Sequence, residues 1–146
     1  MAFYSCQAGV RMQEGHAAAD AHPSCELTAV TDEHDVSASR AEADQLLADD
    51  YNIPYIADLD QALKLPEVDI VSACPDVERR GRVAVQCADS GKCLYLDKPL
   101  AGTNEDARAI VEAVDRNGVT ARCSVRCIAR SPKPPGQLSG LPESAN

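Results

Sequence analysis

The sequence predicts a single α/β domain built as a doubly wound, six-stranded parallel sheet with helices on both faces. Three observations carry this. Short apolar runs alternate with amphipathic segments at roughly 25-residue spacing, the pattern of βαβ units with right-handed crossovers. The run Val68-Asp69-Ile70-Val71-Ser72-Ala73-Cys74 is mostly apolar on both faces, as strands of a buried parallel sheet are. The chain has 146 residues, enough for one domain with a real core.

Ala2 to Cys6 reads as the first strand and Met12 to Ala21 as the helix after it. Leu27-Thr28-Ala29-Val30 is the second strand and ends at Thr31-Asp32. Ser37 to Asp50 follows as a helix, with Ala41, Leu46 and Leu47 inward and Glu42, Asp44 and Asp49 outward. Ile53-Pro54-Tyr55-Ile56 is a short strand. Asp58-Leu59-Asp60-Gln61 resembles a capping box, in which Asp58 accepts backbone N–H bonds and Gln61 reaches back. The helix it opens runs through Leu65 and stops at Pro66.

After the fourth strand, Val77 to Ser90 is helical, with Val83, Ala84, Cys87 and Ala88 in one stripe and Gly91 at its C′ position. Leu94 to Leu96 is the fifth strand. Thr103 caps a helix whose stripe is Ala107, Ile110, Val111 and Val114, at i, i+3, i+4 and i+7. Asn117-Gly118 ends it, and Val119 to Val125 is the sixth strand. The default strand order is 3-2-1-4-5-6. Beyond Arg126, SPKPPGQLSGLPESAN has no periodicity and too little apolar area to offset its ordering entropy. The domain is therefore expected over residues 1–126, with an irregular or disordered tail over 127–146.

Composition narrows the function. Five aromatic residues and no Trp mean a core of Ala, Val, Leu and Ile. A net charge of −9 opposes binding to nucleic acid or to an anionic membrane. MAFYSCQAG lacks the basic and apolar regions of a signal peptide, and no apolar run approaches about 18 residues, so a cytoplasmic chain is expected. The cysteines inside apolar segments, Cys74, Cys87 and Cys93, read as small buried hydrophobes. Cys123 and Cys127 lack common zinc spacing and a nearby His, so no metal site is expected.

In an open parallel sheet, ligands bind beyond the carboxyl ends of the strands. Four sets of residues fall there: the loop Ser5 to Arg11, Asp32, the segment Ala73-Cys74-Pro75-Asp76, and Asp97-Lys98-Pro99. A carboxylate at the tip of the second strand can accept both hydroxyls of a dinucleotide's adenosine ribose and repel a 2′-phosphate, favouring NAD over NADP. Asp32 equally reads as an ordinary loop carboxylate. The first loop holds only Gly9 and Gly15 of the usual glycines, with Val10 and Gln13 at positions where glycine is expected. Lys98 is a cation at a strand end beside a turn proline, and an Asp97–Lys98 salt bridge is the bland reading of it.

Three stretches carry a family resemblance: CELTAVTDE (25–33), IPYIADLDQALKLPEVDIVSACP (53–75) and GKCLYLDKPLAGTNEDARAIVEA (91–113). Together they resemble the N-terminal half of the Gfo/Idh/MocA oxidoreductases, the family of glucose–fructose oxidoreductase and inositol dehydrogenase. The resemblance implies a Rossmann-like domain that binds NAD, or less favourably NADP, through Gly9, Val10, Asp32, Cys74, Pro75, Asp97, Lys98 and Pro99. It implies hydride transfer to or from a sugar, polyol or related hydroxy compound. Asp97-Lys98-Pro99 stands where the family has Glu-Lys-Pro, which implies that Lys98 is catalytic, held by Asp97, with Pro99 fixing the turn. His16 matches a histidine common in the family. Asp76 and Arg79 replace the family's Asn and His.

Family enzymes carry a second domain that supplies a catalytic His, much of the substrate pocket and the oligomer interface. Its absence here suggests a truncated or frameshifted form whose substrate wall comes from elsewhere. Two other readings stay open: a non-catalytic NAD(H)-binding or sensing module that dimerises through the exposed surface, and an inactive remnant that folds poorly.

Overall fold

The computed structural model describes residues 2–6 and 26–124. The strands are β1 (Ala2–Cys6), β2 (Glu26–Thr31), β3 (Tyr55–Ile56), β4 (Val68–Ala73), β5 (Cys93–Asp97) and β6 (Ala121–Ser124). The helices among the described residues are α1 (Ala38–Asp50), α2 (Leu59–Leu63), α3 (Val77–Asp89) and α4 (Asn104–Asn117). All neighbouring strands are parallel, in the order β3-β2-β1-β4-β5-β6. This is a Rossmann-like α/β fold, and the strand order reverses between β1 and β4, the switch point beside which open parallel sheets bind ligands at their carboxyl ends. The helix expected over 12–21, the loop with Gly9 and Val10, His16 and the tail over 127–146 lie outside the described residues.

Right-handed crossovers place α1 on one face of the sheet and α2, α3 and α4 on the other. The burial agrees. One apolar cluster joins Ala29, Val71, Ala73, Leu94 and Leu96 of the strands to Leu59, Val83, Cys87, Ile110 and Ala113 of the helices. Val30 and Ala48 are also fully buried but lie outside that cluster, as the alternation of β2 requires. The expected stripe of α3, Val83, Ala84, Cys87 and Ala88, is buried throughout. In α4, Ile110 is buried, but Val111 is 52% exposed and Ala113 takes its place inside.

Capping follows the local chemistry. Asp58 accepts from the Asp60 and Gln61 amides at 2.9 and 3.3 Å, and the Gln61 side chain donates to Asp58 Oδ2 at 2.9 Å. Gln61 thus reaches back to the capping carboxylate rather than to its backbone amide. Thr103 Oγ1 accepts from the Asp106 amide at 3.0 Å. Gly91 and Gly118, just past α3 and α4, have φ of 74° and 64°, left-handed values that suit glycine. The helix after β4 packs tightly on α4: a Cβ at Gly81 would lie 2.6 Å from Asp106 Cβ.

The expected faces of α1 need correction. Asp44 is fully buried and Leu46 is 60% exposed. Residues 41, 44 and 48 share one helical face, and Leu46 points roughly 160° away from Asp44 at 3.6 residues per turn. Reading by residue type put the leucine inside and the acid outside; helical phase decides the reverse. The third strand is also shorter than expected, two residues rather than four.

Candidate functional site

Every element that builds the site ends or begins at the carboxyl edge of the sheet. The chain leaves β4 through Cys74, Pro75 and Asp76 and turns at once into α3, with Asp76 as N-cap. Arg79 and Arg80 fall in the first turn of that helix. Consecutive helical side chains point roughly 100° apart, so the two guanidinium groups diverge. One reaches back to the tip of β2 and the other forward to the tip of β5.

At the β2 tip, Asp32 is fully buried and charge-paired twice. Its Oδ1 accepts from Arg79 Nη2 at 2.9 Å and from the Glu33 amide at 2.8 Å. Its Oδ2 accepts a close contact from Arg40 Nε, donated from the first turns of α1. Arg40 Nη1 also meets Asp76 Oδ2 at 3.2 Å, which ties α1 to the β4 loop. Arg79 Nε donates to Glu33 Oε2 at 2.6 Å, and Arg82 Nη2 pairs with Glu33 Oε1 at 2.7 Å. Burial works against the charged form of Arg79, but the Glu33 and Asp32 carboxylates outweigh it and hold its pKa above the usual guanidinium value.

At the β5 tip, Arg80 is 5% exposed. Its Nη2 donates to the Pro75 carbonyl at 2.9 Å, and its Nη1 to the carbonyls of Asp97, at 3.2 Å, and Pro99. One planar fork therefore holds the loop after β4 and both carbonyls that flank Lys98. The Lys98–Pro99 peptide is cis. Lys98 is exposed, whereas Asp97 is 5% exposed and faces inward. Among the described residues Lys98 forms no ion pair with Asp97. The expected Asp97–Lys98 clasp is replaced by the Arg80 bonds to backbone. The chain leaves the strand at Asp97 and bends at Lys98, so the acid stays inside while the lysine is exposed.

Cys74 is buried beside these groups. Burial, with the Asp97 charge adding to it, pushes its thiol up to about 12, so it is a protonated wall residue and no nucleophile. Cys87 is fully buried, and its thiol is likewise raised to about 12. Cys93 and Cys123 are half-buried, and Cys123 Sγ donates to the Asp97 carbonyl at 3.7 Å.

Of the residues expected in the site, Pro75, Asp97 and Pro99 are drawn together by Arg80, with Cys74 adjoining. Asp32 is linked to the same β4 loop through Arg40 and Arg79. Gly9 and Val10 lie outside the described residues. Of the four arginines that organise the site, only Arg79 was singled out, as standing where the family has a His; Arg40, Arg80 and Arg82 were not expected there. The signal was present in the run Arg79-Arg80-Gly81-Arg82, three cations in the opening turns of a helix that starts at the carboxyl edge.

A family model described as an oxidoreductase family with an NAD-binding Rossmann fold matches residues 8–125. No curated protein matches the chain. Among solved structures, GenD2 from gentamicin A biosynthesis, in complex with NAD, aligns with a TM-score of 0.74 at 21% identity over 85% of this chain and 34% of its own. The WlbA dehydrogenase of Chromobacterium violaceum, in complex with NADH and UDP-GlcNAcA, aligns with a TM-score of 0.73 at 21% identity over 85% and 34%. An NADPH-dependent oxidoreductase of Desulfitobacterium hafniense aligns with a TM-score of 0.75 at 20% identity over 84% and 34%. These likenesses show the fold, and the chain spans about a third of the length of each of these structures.

Proposed function

Because the chain belongs to the Gfo/Idh/MocA oxidoreductase family, we propose that it is the dinucleotide-binding part of an enzyme that moves a hydride between NAD(P) and a hydroxy compound of the sugar or polyol class. The unit is taken to span residues 1–126. The observation that carries the reading is the set of residues gathered at the carboxyl edge of the sheet. Buried Asp32 stands at one end, exposed Lys98 at the other, and α3 sends one arginine to each. A β2-tip carboxylate and a β5-tip cation on opposite sides of the switch point suit the adenosine and nicotinamide ends of a dinucleotide. GenD2 with NAD, and WlbA with NADH and a UDP-sugar, support the cofactor and substrate classes.

When bound, the nicotinamide supplies the carbon that accepts or gives the hydride. The chain's own residues orient and stabilise. The Lys98 ammonium would stabilise negative charge on the substrate oxygen as the hydroxyl proton leaves. Arg80 sets the position of Lys98 by holding the carbonyls before and after it. Asp32, oriented by Arg40 and Arg79, would hold the adenosine ribose of a bound NAD.

NADH fluorescence on titration of the chain tests this, and the absence of Trp keeps the protein background low. Binding is expected, weakened by Asp32→Ala and left in place by Lys98→Ala, which should act on turnover instead. No binding at millimolar cofactor would overturn the proposal.

A further inference from the structure

We propose that Arg79 competes with the adenosine ribose for Asp32, so that a dinucleotide seats fully only after this guanidinium has swung from Asp32 onto Glu33. The inference rests on the dinucleotide reading above and adds a gate to its adenosine end. A carboxylate offers about two acceptor sites on each oxygen. Asp32 Oδ1 already accepts from Arg79 Nη2 at 2.9 Å and from the Glu33 amide at 2.8 Å, and Oδ2 accepts from Arg40 Nε. At most one site is left, and the side chain is 0% exposed. The paired hydroxyls of a ribose need one site each. One of the present donors must therefore leave.

Geometry singles out Arg79. The Glu33 amide is fixed in the main chain beside Asp32. Arg40, if it let go, would keep only Asp76, a carboxylate 55% exposed and 3.2 Å away, which is a weak substitute. Arg79 already has a better second partner. Its Nε donates to Glu33 Oε2 at 2.6 Å, and its Nη2 is in close contact with the same oxygen. The Glu33 side chain is 10% exposed, so that pair is little screened. A turn of the Arg79 side chain would release Asp32 and keep Glu33, and its charge would never be left bare.

The second observation is the space on the Glu33 side. A hollow of about 220 Å³ opens there, lined by Glu33, Asp35, Asp58, Asp60, Arg82 and Gln86 among others. Its carboxylates draw a guanidinium toward it. Arg82 Nη2 holds Glu33 Oε1 at 2.7 Å, which leaves Oε2 to Arg79. The Arg79 side chain is 20% exposed, so it has open solvent through which to turn. With Arg79 withdrawn, Arg40 and the Glu33 amide still orient Asp32 toward the ribose.

The test is fluorescence titration with NADH of the full chain, of Arg79→Gln, Glu33→Gln and Asp32→Asn, and of Arg79→Gln paired with each of the other two. Arg79→Gln removes the competitor and should tighten NADH at least about threefold, a gain that a merely structural arginine would not give. Glu33→Gln removes the place to which Arg79 retreats and should weaken NADH, an effect that vanishes when Arg79 is also replaced. The gain from Arg79→Gln should disappear in the Asp32→Asn background. Circular dichroism checks that each variant is folded, and Glu33→Gln carries the test if Arg79→Gln is not. NADH binding that Arg79→Gln leaves unchanged or weakens overturns the gate and leaves the dinucleotide reading standing. So does a Glu33→Gln variant that binds NADH as well as the unaltered chain or better. Binding by none of these proteins overturns the dinucleotide reading, and the gate with it.

Discussion

Arg80 illustrates how much one buried side chain can organise. A guanidinium at 5% exposure has lost most of its hydration, and three backbone carbonyls replace it. Hydrogen bonds to charged donors contribute about 1.5–3 kcal/mol each, but carbonyls at the carboxyl edge partly rehydrate, so Arg80→Ala should cost on the order of 2–4 kcal/mol. The midpoint of urea denaturation measures it. Arg80→Lys should recover only part, because an ammonium cannot present a planar fork to two loops.

The buried thiols act through pH. Cys74 and Cys87 stay protonated in the native chain up to about 12, against an ordinary value of 9.0. Both raised values mean that the unfolded chain gives up its thiol protons first. The stabilisation is fully present below pH 9.0 and is lost as pH climbs toward 12. Urea midpoints from pH 8 upward should therefore fall more steeply for the unaltered chain than for a Cys74→Ala, Cys87→Ala double variant. Parallel pH slopes for the two proteins would contradict this.

At the scale of the element, the contact of α3 with α4 opposes intrinsic propensity. Glycine inside a helix costs about 1 kcal/mol relative to alanine, so propensity alone favours Gly81→Ala. The added Cβ would come within 2.6 Å of Asp106 Cβ and Cγ, with the two helices already in contact. Overpacking typically costs about 1–3 kcal/mol, so the substitution should destabilise, as a lowered thermal midpoint. Asp106 also accepts from Thr103 Oγ1 at 2.9 Å, so its retreat would loosen the α4 cap. At Asp58, loss of the cap on replacement by alanine should lower the midpoint of the same melts. The Gln61 side chain, with lesser help from backbone amides, holds the Asp58 pKa below the usual carboxylate range.

For the whole molecule, one apolar cluster runs from β2 to α4 through two other strands and two other helices. A core shared in this way should unfold as one unit. Denaturation followed by far-ultraviolet circular dichroism and by tyrosine fluorescence should give coincident, single-step transitions. A broad melt that differs between the two signals would instead match a remnant that folds poorly. Among the described residues no helix is long and apolar enough to cross a membrane.

The alternation of apolar runs with helical stripes, the caps at Asp58 and Thr103, the glycines at 91 and 118 and the grouping of site residues at strand ends are local or periodic properties. The sequence by itself determined them, because capping, left-handed turns and parallel-strand burial depend on residues a few positions apart. The faces of α1 were misread because residue type was weighed above helical phase. The arginine pairing belonged to the tertiary structure alone. Arg40 and Asp32 are eight positions apart, Arg79 and Asp32 forty-seven, and Arg80 and Pro99 nineteen. No local pattern links residues so separated. Only the parallel crossovers bring the ends of β2, β4 and β5 to one edge, and only there could a buried carboxylate be neutralised and the Lys98 turn be held by Arg80 instead of by its neighbour Asp97.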